Sequence, residues 1–162
     1  SQGITHKIGL SVYGPTELDA VLDRYTFGLV QAPLNILDRR MVESGWVKCL
    51  SEAGVEVHAR SAFLQGLLLM PAERRPIRFN RWKRTLQIWD DWLSKAGLTP
   101  LQACVRYFND LPQIDRVVVG VDTTAQLNQI LGAHEGKLPS LPEFEQLEDE
   151  RLVNPASWGN LD

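Results

Sequence analysis

The sequence predicts an α/β protein made of parallel β/α units. Three observations predict it. A short β-rich run is followed by a helical pattern four times along the chain. The run at 117–121 (VVVGV) is apolar throughout, as suits a strand covered on both faces. The 162 residues, 44% apolar and 23% charged, give one domain enough chain to bury a core. Residues 1–162 are therefore read as a single α/β domain with a carboxyl-terminal tail at 141–162.

The elements follow in order. Lys7 to Tyr13 (KIGLSVY, about 7–13) reads as the first strand, bounded by Gly14-Pro15. Thr16 is expected to cap the next helix, with Asp19 three residues later, and Leu18, Val21, Leu22 and Tyr25 give that helix an apolar face. Leu29 to Leu34 (LVQAPL, 29–34) is the second strand, and a helix from about Arg39 to Ala53 is stopped by Gly54. Val55 to Ser61 (VEVHARS, 55–61) is the third strand.

A long excursion follows. Leu64 to Met70 is mostly apolar, Pro71 to Arg78 is a polar loop, and helices run over about Phe79–Ala96 and Pro100–Leu111. Gly97 separates the two, and Pro100 suits a first helical turn because its missing N–H is harmless there. The fourth strand spans 117–121, and Thr123 or Thr124 caps a helix to about Leu131. The tail suggests a helix from about Pro142 to Leu147, then irregular chain containing NPASW. Two closures fit this order. One is an open doubly wound sheet. The other is half of a (β/α)8 barrel, since a whole one takes about 250 residues.

Composition narrows the function. The formal net charge of −3 argues against nucleic acid as a partner. No apolar run reaches the roughly 20 residues that span a bilayer. SQGITHKIGL lacks the order of a secretory signal, and Cys49 and Cys104 form no metal or CxxC spacing. These features predict two buried thiols, a reducing cytoplasm and no metal. The chain opens almost directly on a strand, as a piece of something larger would.

Parallel α/β folds place ligands at the carboxyl ends of their strands. Those ends offer Ser11 and Tyr13, Gln31 and Asn35, His58, Arg60 and Ser61, then Gly120 and Asp122. Alternation puts Glu56, His58 and Arg60 on one face and Val55, Val57 and Ala59 on the other. The valines suit the helix side, so Arg60 points inward and wants an anion or an acid, with Asp122 as the expected partner. Gln31 either reads a ligand amide or bonds backbone, and His58 reads as a satisfied core histidine. His6 and His134 read as surface residues. No GxSxG, HExxH, GxxxxGK[ST] or GxGxxG motif is present. Arg74 to Arg84 (RRPIRFNRWKR) holds six cationic residues and no acid, and reads as a solvated loop and first helical turn. Trp82, Trp89, Trp92 and Leu93 have the helical spacing of a packed face, and Glu143 to Glu150 reads as an exposed acidic tail.

IGLSVYGPTEL, LVQAPLNILDRR, GVEVHARSAFLQGLL and VVVGVDTTAQLNQIL, in that order, resemble the second half of the aldo/keto reductases, from about Lys7 to Leu131, and the NPASW tail resembles the ending of a bacterial branch. The resemblance implies strands five to eight of a (β/α)8 barrel, a nicotinamide cofactor and a small carbonyl substrate. It implies that Ser11 and Gln31 hold the carboxamide. Ser61, Phe63, Leu64 and Gln65 run along the pyrophosphate, and Gly120, Val121, Asp122, Thr123 and Thr124 form the turn at the adenosine phosphate. Arg60 stands where a tyrosine usually stacks on the nicotinamide, and an arginine plane can stack as well.

The departures shape the expectation. Val12 replaces the carboxamide-binding asparagine, and Val121, Asp122, Leu127 and Ile130 replace the residues that clamp a 2′-phosphate. NAD is therefore expected over NADP, or weak binding of either. The family's catalytic Asp, Tyr, Lys and His lie on the first half, so no catalytic residue is expected in this chain. Four strands of a barrel leave two open edges and an interior face without an opposite wall. The expected partner is the missing amino-terminal half or a second copy, with residues 141–162 and the tryptophan helix as cover. The alternative is a non-catalytic assembly or binding module that kept the fold.

Overall fold

The computed structural model describes residues 3–22, 24–144 and 149–160. Four strands, β1 (Gly9–Ser11), β2 (Leu29–Pro33), β3 (Glu56–Arg60) and β4 (Arg116–Val117), form one sheet in the order β1-β2-β3-β4. Every pairing is parallel. Each new strand is added on the same side, without the reversal of a doubly wound sheet. That is the order of consecutive barrel strands. The register aligns Ser11, Gln31, His58 and Arg116 across the sheet.

The strands are shorter than the apolar runs suggest, β4 most of all. Its apolar run 117–121 contributes only Val117 to the ladder, although Val118 N–H still donates to Ala59 C=O at 2.7 Å. In this register Val118 lies opposite Arg60, the last residue of β3, and the chain then turns away at Ser61, so among the described residues no strand holds 119–121 extended. Asp115 extends the pairing backward, its N–H donating to Val57 C=O and its carboxylate accepting from Val57 N–H at 2.8 Å.

Helix α1 (Pro15–Val21) begins at Pro15 with Gly14 as N-cap, not at a Thr16 cap. Proline at N1 sets the helical φ, and the Glu17 carboxylate accepts from Tyr13 N–H at 2.6 Å. Leu18 is buried as expected, but Tyr25 lies beyond the helix and is 62% exposed. The helix expected over 39–53 is two helices, α2 (Arg40–Glu43) and α3 (Trp46–Glu52), broken where Gly45 takes a left-handed φ of +83°. The excursion holds α4 (Lys83–Ala96), entered through a 3-10 turn at Ile77–Trp82, and α5 (Pro100–Arg106). Gly97 closes α4 in the left-handed region, and Thr99 with Gln102 forms a capping box ahead of Pro100. Thr123, not Thr124, caps α6 (Thr124–Ala133), again with a capping box, to Gln126.

Two apolar clusters hold these elements together. Val12, Val30, Ala32 and Val57 pack on Leu18, Met41, Val47 and Leu50, which places the helix-facing side of the sheet as alternation predicts. Trp82, Leu86, Trp89 and Leu93 of the tryptophan face pack with Leu64, Leu67 and Leu68. The tail joins this second cluster through α7 (Glu150–Val153), where Leu152 and Val153 are buried, and Trp158 meets Phe79 edge-on at 4.8 Å. It covers the tryptophan helix, not the interior face of the sheet. Residues 142–144 are not helical, and the rest of the helix expected over 142–147 lies outside the described residues.

The acidic tail is partly tied down. The Asp149 carboxylate accepts from Trp82 Nε1 at 3.1 Å and pairs with Arg151, whose guanidinium holds it below its ordinary range. Arg75, inside the basic stretch, is also not solvated: it forms a bidentate pair with Asp90 at 2.7 and 2.5 Å. No helix among the described residues is long and apolar enough to cross a membrane.

The cysteines differ from expectation. Cys104 is buried, and desolvation pushes its thiol up to about 12, but Cys49 is exposed. Only a thiolate alkylates readily. Iodoacetamide at pH 8 is expected to add one group to the native protein, at Cys49, and a second only after denaturation. Intact-mass measurement checks this, and rapid double labelling of native protein would contradict the burial of Cys104.

Candidate functional site

The interior face of the sheet carries the polar side chains. Ser11 is exposed, Gln31, Glu56, His58 and Arg60 are half-buried, and Val57 and Ala59 of β3 are buried on the opposite face. His58 Nε2 lies 3.3 Å from Glu56 Oε2, and Glu56 also binds Lys7 Nζ at 2.7 Å. That pairing with Lys7 holds the Glu56 carboxyl below its ordinary range. His58 is thus a histidine with a structural partner near the amino ends of the strands.

The carboxyl ends hold a cleft of about 710 Å³, within the roughly 300–1,000 Å³ typical of small-molecule sites. Arg60, Ser61, Phe63, Gln65, Gly120, Val121 and Asp122, all expected at the cofactor, line this one cleft. Gly66, Leu69, Val118 and Val119 line it as well and were not read from the sequence. Ser11 and Gln31 lie on the interior face outside its lining. Leu64 is fully buried in the core, so its side chain is closed to any ligand.

The cleft's floor is an unusual loop. Ser61, Leu64 and Gln65 have φ of +59°, +46° and +53°, beside Gly66 at +83°. Each non-glycine residue held there costs on the order of 1–3 kcal/mol, and such residues cluster at ligand clamps. Among the described residues no backbone acceptor meets the N–H groups of Ala62, Phe63 and Gln65. Asn35, buried after β2, fixes the start of this loop: its amide Nδ2 donates to Ser61 C=O at 3.1 Å.

Arg60 reaches across β2 to the end of β1. Its Nη2 donates to Val12 C=O at 3.1 Å, its Nη1 lies 3.4 Å from Ser61 Oγ, and its plane sits 4.9 Å from the Tyr13 ring centroid. Asp122 lines the same cleft but makes no ion pair with Arg60, against the sequence expectation. Tyr13, unassigned by sequence reasoning, is the ring that holds the guanidinium plane.

The other wall is the turn into α6. Gln126 Oε1 accepts from Asp122 N–H at 2.7 Å and Thr123 N–H at 3.3 Å, and Thr123 Oγ1 accepts from Gln126 N–H. The capping box therefore uses donors that a phosphate would want, and Asp122 adds a negative charge. Leu127 and Ile130 line a separate apolar groove with Val117, Val119 and Phe108. Val12 is 1% exposed on the helix side of the sheet and cannot reach a ligand. Among the described residues no group of His, Cys, Asp and Glu could hold a metal ion.

Known proteins bear on this arrangement. No curated protein matches the chain. It is similar in fold to two structures of the aldo-keto reductase AKR11C1 from Bacillus halodurans. The holo form matches at a TM-score of 0.60 and 21% identity over 90% of this chain, and the apo form at 0.62 and 20% over 93%. In both, the match covers 49% of the longer chain, so this chain spans about half the length of the structures it matches. The family model described as the aldo/keto reductase family matches residues 1–148. A parallel strand order, a shared fold and a family match over most of the sequence agree: the chain belongs to the aldo/keto reductase family.

Proposed function

We propose that this chain is the dinucleotide-binding half of an NAD-dependent oxidoreductase that acts on aldehydes or ketones. The observation that carries the reading is the cleft, where the left-handed loop, Arg60 and the α6 turn meet. A nicotinamide dinucleotide, when bound, supplies or accepts the hydride. The free N–H groups of Ala62, Phe63 and Gln65 suit its diphosphate, and the interior amide of Gln31 suits its carboxamide. The occupied donors of the α6 turn and the charge of Asp122 support NAD over NADP.

The chemistry needs a further half. Among the described residues no histidine, tyrosine or lysine lines the cleft, and the family's catalytic residues lie on strands that precede those present here. The edges support the same reading: β1 and β4 each pair with one strand only, and Ile8, Val118 and Leu131 are 65%, 44% and 59% exposed. An amino-terminal half-barrel would pair both edges and cover these side chains.

Calorimetry of the purified chain tests the binding claim. NAD is expected to bind and NADP at least tenfold more weakly, a difference of about 1.4 kcal/mol. No heat with either would overturn it and favour the non-catalytic module. Mixed with NADH and short aldehydes, the chain alone is expected to show no turnover.

A further inference from the structure

Among the described residues five arginines are partly buried: Arg39, Arg40, Arg60, Arg75 and Arg106. Burying a guanidinium is costly unless something negative faces it. Four of the five obey this. Arg39 pairs with Glu43, Arg40 with Asp38, and Arg75 with Asp90. Arg106 Nε donates to the C=O of Ala133, at the negative end of helix α6.

Arg60 is the exception. Its partners are a main-chain carbonyl, a hydroxyl and an aromatic ring, all neutral. Two of its five N–H donors face Val12 and Ser61, the others have no hydrogen-bond partner among the described residues, and the side chain lines the cleft. The Tyr13 ring and the Val12 carbonyl fix the guanidinium plane, so little order is lost when a ligand arrives. A fixed, half-desolvated fork with no counter-charge is suited to a carboxylate or phosphate, which it grips with two parallel hydrogen bonds.

We infer that Arg60 is an oxyanion-binding residue and that the substrate is an acidic carbonyl compound, an aldehyde or ketone that also bears a carboxylate. The substrate part rests on the oxidoreductase reading; the oxyanion site does not.

The test uses the chain itself and two probes of similar size, pyruvate and its neutral analogue pyruvamide. The backbone N–H signal of Ser61, which adjoins Arg60 and lines the same cleft, is followed by nitrogen-correlated NMR in the wild type and in each variant, with and without saturating NAD. Pyruvate is expected to shift this signal saturably and at least tenfold more tightly than pyruvamide, both with and without NAD. Arg60→Gln removes the preference, and Arg60→Lys, which keeps the charge but loses the fork, retains part of it. Equal affinity for the two probes, or pyruvate binding unchanged in Arg60→Gln, overturns the inference. Loss of pyruvate binding on adding NAD overturns the substrate assignment, because the charge then serves the dinucleotide's diphosphate. NAD binding by calorimetry is read separately, so a failure of the dinucleotide reading shows as absent heat while the pyruvate shift persists. Tryptophan emission of each variant confirms its fold.

Discussion

Replacing Asn35 by alanine is expected to destabilise the protein by about 3–5 kcal/mol. The residue is 1% exposed and makes three hydrogen bonds. Its Oδ1 accepts from Leu37 N–H and Asp38 N–H, both at 2.9 Å, which turns the chain sharply after β2. Its Nδ2 donates to Ser61 C=O, at the first left-handed residue of the cleft loop. Alanine leaves the Leu37 and Asp38 N–H groups without their acceptor, each at about 1–3 kcal/mol, while Ser61 C=O keeps the N–H of Leu64 at 2.9 Å. With a urea slope near 2 kcal/mol/M, the midpoint should fall by about 2 M. Tryptophan fluorescence reads it. A midpoint within about 0.3 M of wild type would show that water replaces the amide, and that the loop does not depend on it. The variant should also bind NAD more weakly, since Ser61 C=O, at the residue held at φ +59°, loses one of its two hydrogen bonds and keeps only that from Leu64 N–H.

Much of this architecture was legible in the sequence, for identifiable reasons. The alternation in VEVHARS was sufficient to send Val57 and Ala59 into the core and Arg60 inward. Pro100 in a first turn and a threonine cap at 123 or 124 were legible as local helix starts, and the structure adds the Thr99 cap and the two capping boxes. What failed depended on neighbours distant in sequence. The VVVGV run has strand propensity throughout, but a strand needs a partner, and only β3 is present for it. Gly45 could have been tolerated inside one long helix, and it became a break because α2 and α3 must turn to keep Met41, Val47 and Leu50 on the sheet. Cys49 was assigned to the core by residue type, but its position on α3 faces outward.

The site was legible to a different depth. The rule that ligands sit at strand carboxyl ends offered Arg60, Ser61, Gly120 and Asp122 of one cleft, and the resemblance added Phe63, Gln65 and Val121. It also brought Leu64, whose side chain the core takes, because an ordered motif does not say whether a position contributes backbone or side chain. The Arg60–Asp122 pairing was argued from charge alone. It failed because the arginine spans two strands to reach Val12 and Tyr13, a direction that alternation cannot give. Asn35, Asp38 and Arg40 were present in the string NILDRR, where an asparagine just past a strand, followed by an acid and a base, is the pattern of a side-chain-stabilised turn.

That string leads to the second large effect. Arg40→Met is expected to cost about 3–5 kcal/mol, more than a surface ion pair would. The Asp38 side chain is 1% exposed, and Arg40 meets both its oxygens, Nε to Oδ1 at 2.8 Å and Nη2 to Oδ2 at 2.9 Å. This hydrogen bond is the chief reason the Arg40 guanidinium is held above its ordinary range. Arg40 also donates to Tyr13 C=O at 3.1 Å and to Glu150 Oε1 at 3.0 Å, so one side chain joins the exits of β1 and β2 to the tail. Glu150 is 71% exposed, and that contact contributes little. Methionine keeps the apolar stem but leaves a carboxylate buried with no cation. The double variant Asp38→Asn, Arg40→Met separates the causes. If the uncompensated charge dominates, removing it should restore more than half of the lost urea midpoint. If the loss persists unchanged in the double variant, the Tyr13 carbonyl and the tail contact carry the stability, and Arg40 acts as a clamp between segments, not as the counter-ion of Asp38.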